Sequence, residues 1–269
     1  MHLTTIMRIA MTPIIRTCKL CGKNTVLTFE HVPPRSAFNK WPSRFYAGKE
    51  LMLHVASPEL PWELSKRKWV QQQRGYGAYT LCADCNSYTG RKYAPAYTDF
   101  CVQALQQIGE QGSTRGNITI SFRNIYPLKV MKEILCMFLS INHAKFGDRY
   151  PDIREFVKNY ALRREIRCAS VFSYANIGRL HRIVGNAGIM NVSDGWGRLV
   201  SELGAIPFGF VMEMTPAKER ELTPLADFSD LYDIDEKASV DVKFPIKQSN
   251  SFIPLDYRTR EEILAGAKA

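Results

Sequence analysis

The sequence predicts an α+β protein: a zinc-braced ββα module near the N-terminus, followed by a mixed helical and β-rich region. Three observations carry that expectation. Two C-x-x-C pairs, Cys18/Cys21 and Cys82/Cys85, have 60 residues between them and can fold together around one ion. Two segments, 95–112 and 127–147, repeat apolar residues at helical spacing. From about residue 167 onward, short β-like runs are separated by Gly, Asn and Pro, the pattern of successive strands.

Composition sets the outer limits. A chain of 269 residues holds one or two domains, and 45% hydrophobic with 23% charged residues excludes a disordered or fibrous chain. No apolar run approaches the roughly 18 residues of a membrane helix, and the best N-terminal stretch, "IMRIAMTPII", is broken by Arg8 and Pro13. A cytoplasmic protein with no membrane partner is expected. The net charge of +10 is uneven: residues 1–100 hold 14 Lys and Arg against 6 Asp and Glu, whereas residues 101–269 hold 22 against 20. A basic first part attracts polyanions, nucleic acid above all.

In chain order, "TCKLCGK" suits a tight turn, with Gly22 free to take a positive φ. A strand over about 24–29 then runs into "TFEHVPPRSAF", residues 28–38, where Glu30 and His31 stand side by side. Neighbouring strand residues point to opposite faces, so the two can serve one site only where the strand bends or ends. Pro33 and Pro34 supply that ending, because proline fixes φ and restricts the residue before it. An insertion over 38–76 mixes Lys40, Arg44, Lys66, Arg67, Lys68 and Arg74 with Trp41, Phe45, Tyr46 and Trp69. Such a mixture suits phosphate contacts and base stacking; it equally suits a solvated charged face over packed aromatics. A strand at about 77–81, a turn at 82–85 and a helix beginning near Asn86 complete the unit.

Four thiolates brought together form the tetrahedral set that structural zinc prefers. An odd total of seven cysteines in an intracellular chain favours metal over disulfides, and closing a long loop adds little entropy cost. The competing reading is one redox C-x-x-C and one incidental pair. Cys101, Cys136 and Cys168 sit in apolar runs and read as small buried hydrophobes.

The C-x-x-C, then "TFEHVPP", then "LCADCN" with Gly90, Arg91 and Lys92 following, resembles the HNH nucleases of the ββα-metal fold in their zinc-ribbon-braced form. The likeness covers residues 17–38 and 79–92, with His31 ten residues after Cys21 and Asn86 directly after Cys85. It implies a DNA endonuclease, with RNA the lesser expectation, of a kind found in restriction, mobile-element and antiphage defence proteins. On that pattern His31 is the general base, and Glu30 and Asn86 offer oxygen ligands to a catalytic Mg²⁺ or Mn²⁺. Arg35, Arg91 and Lys92 are the candidates for holding substrate phosphate. Two positions depart from the pattern. Glu30 stands where many members have aspartate, and no asparagine falls near Gly77, where the family places one to orient the histidine. A backbone carbonyl or Gln73 is the expected substitute. Read without the family, His31 is a hydrogen-bonded strand end, Asn86 a helix N-cap, and the whole unit a non-catalytic zinc module that binds nucleic acid.

The helices at 95–112 and 127–147 each carry a proline near the start and a glycine at the end, with "NITISF" between them as a strand. Strands are then expected in "RCASVFSY", "RLHRIVG", "AGIMNVS", "FGFVMEM", "ASVDVKFPI" and "NSFIPLDY", and a closing helix in "TREEILAGA". The acidic run "DFSDLYDIDE" reads as a solvated loop. The expected division is a nuclease module over 14–112 and an α+β domain over 113–269. For the second, sensing an activating ligand, homodimerisation and shaping the substrate channel all stand open.

Overall fold

The computed structural model describes residues 13–178, 180–191, 196–214 and 222–266, and its architecture is mixed α+β. Strands β1 (Ile15–Thr17) and β2 (Asn24–His31) open the chain. The insertion forms β3 (Ser43–Phe45), helix α1 (Gly48–Val55) and β4 (Val70–Gln72), and the chain returns as β5 (Gly77–Cys82) into α2 (Ala83–Lys92). One antiparallel sheet runs in the order β1-β2-β5, and β3 pairs with β4 in a separate ribbon. The β2, β5 and α2 trio is the ββα arrangement the sequence suggested.

Helix α3 (Ala94–Gln111) begins with Pro95 in its first turn and stops where Gly112 adopts φ 60°, a left-handed cap that glycine takes without a Cβ clash. Strand β6 (Asn117–Ile125) follows, then α4 (Pro127–Ile141), whose residues are almost all buried. The helix expected to reach Gly147 ends at Ile141. Asn142 turns extended and its side-chain amide donates back to Phe138 O at 2.8 Å, the local competition with helix that asparagine favours. Short helices α5 (Phe146–Arg149) and α6 (Pro151–Lys158) complete the helical stretch.

The rest builds a large sheet from β7 (Ser170–Asn176), β8 (Arg182–Asn191), β9 (Trp196–Ala205), β10 (Phe208–Glu213), β11 (Thr223–Pro224) and β12 (Ala238–Lys247), with helices α7 (Asp227–Asp230) and α8 (Arg260–Gly266). The order is β6-β12-β7-β10-β9-β8, with β11 beside β7 and, among the described residues, only β12–β7 parallel. "RLHRIVG" and "AGIMNVS" form one strand, β8, bulged between Val184 and Ala187; residues 192–195 and 267–269 lie outside the described residues, as do the first twelve. "NSFIPLDY" is no strand. It wraps the buried Arg182, whose Nη1 donates to Ser251 O, Ile253 O and Asp256 O, so its carbonyls are satisfied by a guanidinium in place of a neighbouring strand. The acidic run is a loop only in part, for Phe228 and Ser229 of α7 are buried.

One apolar core runs from Cys18 and Leu20 through α3, α4 and the large sheet to Ile246. Phe100 stacks between Phe122 and Phe208 at 4.3 and 4.7 Å. The 112/113 boundary falls in a loop, yet residues on both sides share this core.

Candidate functional site

Two tight turns bring the cysteines together. In the first, Gly22 N donates to Cys18 O and Cys18 N to Lys23 O, with Gly22 at φ 77°. The second falls where β5 passes into α2. All four Sγ atoms lie within 4.8 Å of one another, and Cys21 and Cys82 are 3.9 Å apart. Thiolates bound about 2.3 Å from one zinc lie about 3.8 Å from each other, so the cluster could hold a metal ion such as zinc. Cys18 is the readiest thiolate: a hydrogen bond from the Cys85 thiol draws it down to about 4, and Cys82 N–H also donates to its sulfur at 3.3 Å.

Beside this cluster, β2 pairs with β5 through a register shift between Thr28 and Phe29. Leu81 lies opposite Thr28 and Tyr79 opposite Phe29, so Thr80 is the extra residue of a bulge, a device that re-aims a side chain. The Thr80 hydroxyl donates to Glu30 Oε2 at 2.5 Å, and Ser140 Oγ donates to the same oxygen at 2.6 Å. Cys136 Sγ lies 3.9 Å from the other oxygen. Burial pushes the Glu30 carboxyl up to about 7 despite these donors and the charge of Lys19.

His31, next along the strand, lies edge-on to Phe29 at 5.1 Å between ring centres. Its Nε2 is 3.0 Å from Arg74 O. A carbonyl only accepts, so Nε2 carries the proton and Nδ1 keeps its lone pair. Of the two substitutes expected for the family's asparagine, it is the carbonyl that meets the ring. Gly77 is opposite His31 in the sheet, and a Cβ there would come 2.1 Å from Glu30 O, which leaves no room for an asparagine. Burial lowers the His31 pKa against the raising effect of the bond to Arg74 O, and the charges of Arg35 and Arg74 push down with it.

A buried residue not singled out from the sequence braces this corner. Asn39 Nδ2 donates to Pro33 O at 2.6 Å and Tyr76 O at 2.7 Å, and Asn39 Oδ1 accepts from Tyr76 N at 2.7 Å. The amide thereby ties the proline corner to the segment bearing Arg74. Its only sequence signal is an asparagine just past the corner, with Gly75 opposite; a Cβ on Gly75 would come 2.1 Å from Asn39 O.

Asn86 lies within α2, one turn past its cap at Cys82, so it is not the N-cap. Its amide donates to Thr28 Oγ1 at 3.0 Å and to Phe29 O at 3.1 Å. The second partner accepts only, which fixes Nδ2 there and leaves Oδ1 outside those two bonds. Glu30, His31 and Asn86 all border one cleft of about 510 Å³, which Arg35, Lys40, Thr89, Gly90 and Glu133 also line. Arg91 and Lys92 are exposed but do not line it, and Lys92 Nζ sits 4.8 Å from the centre of the Tyr160 ring. In the insertion Trp41 is exposed, while Arg44 covers the Trp69 ring at 4.7 Å. No helix among the described residues is long and apolar enough to cross a membrane. No family model, curated protein or solved structure matches the chain, and the chemistry of the site rests on these residues alone.

Proposed function

We propose that the protein is a metal-dependent HNH-type endonuclease with structural zinc on Cys18, Cys21, Cys82 and Cys85. The observation that carries the reading is the convergence of Glu30, His31 and Asn86 on one basic-rimmed cleft beside the four-cysteine cluster. The Nδ1 lone pair of His31 takes a proton from the attacking water, and the bond from Nε2 to Arg74 O keeps the ring in the tautomer that can do so. Asn86 Oδ1 and the Glu30 carboxyl would hold a hard divalent cation. When bound, that cation supplies Lewis-acid stabilisation of charge on the phosphate and the leaving oxygen. Arg35 and Lys40 hold the phosphodiester against the cleft. DNA is the preferred substrate in this reading.

One observation favours a non-catalytic nucleic-acid-binding module. Glu30 Oε2 already accepts from two hydroxyls, as a structural carboxyl would. Plasmid and single-stranded RNA, each incubated with Mg²⁺, with Mn²⁺ or with chelator, separate the two. Metal-dependent cutting that falls at least about a hundredfold in His31→Ala, by a protein carrying about one equivalent of zinc, is the expected result. Binding by both proteins with cutting by neither assigns the module instead, and cutting confined to the RNA would make it an RNA-directed nuclease.

A further inference from the structure

We infer that Glu133, from helix α4, is a third oxygen ligand of the divalent cation in the cleft, beside Glu30 and Asn86. The inference rests on the cleft being a cation site, as proposed above, and adds a residue that lies outside the HNH-like segment altogether.

The argument begins with the face Glu133 occupies. Residues 133, 136 and 140 fall at i, i+3 and i+7 of α4, one stripe of a helix. Cys136 and Ser140 on that stripe both contact the Glu30 carboxyl, so Glu133 continues the row along the same strand end and reaches the cleft wall. It is 4% exposed, and its Oε2 has no hydrogen-bond partner.

The neighbouring residue supplies the contrast. Lys132 is equally buried in the same helix, and its ammonium donates to Phe156 O, Asn159 O and Leu162 O. The helix therefore satisfies one buried charge completely and leaves an oxygen of the next carboxyl, on a residue that lines the cleft, without a partner. An unpartnered buried polar group is expensive unless something meets it.

The other groups around it say what that is. Burial and the charge of Glu30 both push the Glu133 carboxyl up, and Cys136 and Ser140, on the same stripe as Glu133, touch the Glu30 carboxyl. Asn86 lines the same cleft with its amide hydrogens already used, which leaves its Oδ1 as the acceptor it can offer. Two carboxyls and an amide oxygen form an all-oxygen set, which suits Mg²⁺ or Mn²⁺ and not a soft ion. The arrangement suits a positively charged occupant and repels an anion, so Glu133 is not a phosphate contact.

The test measures metal binding directly. Zinc-loaded wild-type protein is titrated with Mn²⁺, followed by electron paramagnetic resonance of the free ion, alongside Glu133→Gln. The expected result is one Mn²⁺ bound by the wild type and an affinity at least about tenfold weaker in the variant, with zinc content and circular dichroism unchanged. Equal affinity in the two proteins overturns the assignment, as does the absence of Mn²⁺ binding by the wild type. Should Glu133→Gln not fold, Glu133→Asp keeps a carboxylate one methylene further back; weaker binding is expected there too, and unchanged affinity overturns the inference. The outcome is separable from that of the nuclease reading. Cutting that depends on His31, with Mn²⁺ affinity indifferent to residue 133, removes Glu133 and leaves the nuclease. Glu133-dependent Mn²⁺ binding without cutting of any nucleic acid leaves the cation site and removes the nuclease.

Discussion

His31 owes its orientation to a main-chain oxygen, and the site's pH response follows from the same environment. Burial and two nearby arginines favour the neutral ring, so the folded pKa lies below the ordinary 6.5. A base must be neutral to accept a proton; at saturating Mg²⁺, where the bound cation keeps Glu30 ionised, the cleavage rate should hence be flat around pH 7 and fall only as pH drops below 6.5. A pH profile of single-turnover cleavage with the acid limb above neutrality would contradict this assignment. Asn39 is the residue on which the orientation depends at one remove. Asn39→Ala strips partners from Pro33 O, Tyr76 O and Tyr76 N, with an expected loss of about 2–3 kcal/mol in denaturant unfolding. Its cleavage rate should fall even where the variant remains fully folded, since the Arg74 carbonyl loses its anchor.

At the scale of elements, the knuckle and helix α4 are joined by one side chain. Lys19, between the first two cysteines, donates from Nζ to Ser140 O and Asn142 O at 2.6 Å each. These carbonyls close the end of α4, where a cation is favoured. Lys19→Met should lower stability by about 1–3 kcal/mol, read from denaturant midpoints, while zinc content stays constant because no thiol is touched. The sequence made several of these elements legible. The β2 strand, the β5 strand and α3 carry their own periodicity and caps, and the two C-x-x-C turns announce a cluster that could hold an ion. What it hid was non-local. The bulge at Thr80 depends on how β2 and β5 register, and the stripe of Glu133, Cys136 and Ser140 looks like incidental polarity in an apolar helix until β2 is packed against it. "NSFIPLDY" misled for a related reason: its aromatic and β-branched residues suit a strand, but a buried arginine more than sixty residues away captures its carbonyls. Asn142 cut α4 short by a local hydrogen bond that apolar periodicity does not record.

The molecule as a whole does not divide where its charge does. Residues before and after the 112/113 loop share one core, and Glu30 is held by side chains from both parts. A fragment spanning residues 13–112 is accordingly expected to bind zinc through its four cysteines yet lack a cooperative unfolding transition, as followed by circular dichroism on heating. A fragment that melts cooperatively and cuts DNA would refute that account. Ser140 lies 110 residues downstream of Glu30, which bears on how the chain is made. A ribosome has long since released the Glu30–His31 corner when the hydroxyl that cradles it is still unsynthesised. Any product of premature termination before α4 lacks the Cys136 and Ser140 side chains that meet the Glu30 carboxyl, and on the nuclease reading proposed above such a fragment is expected to be inert.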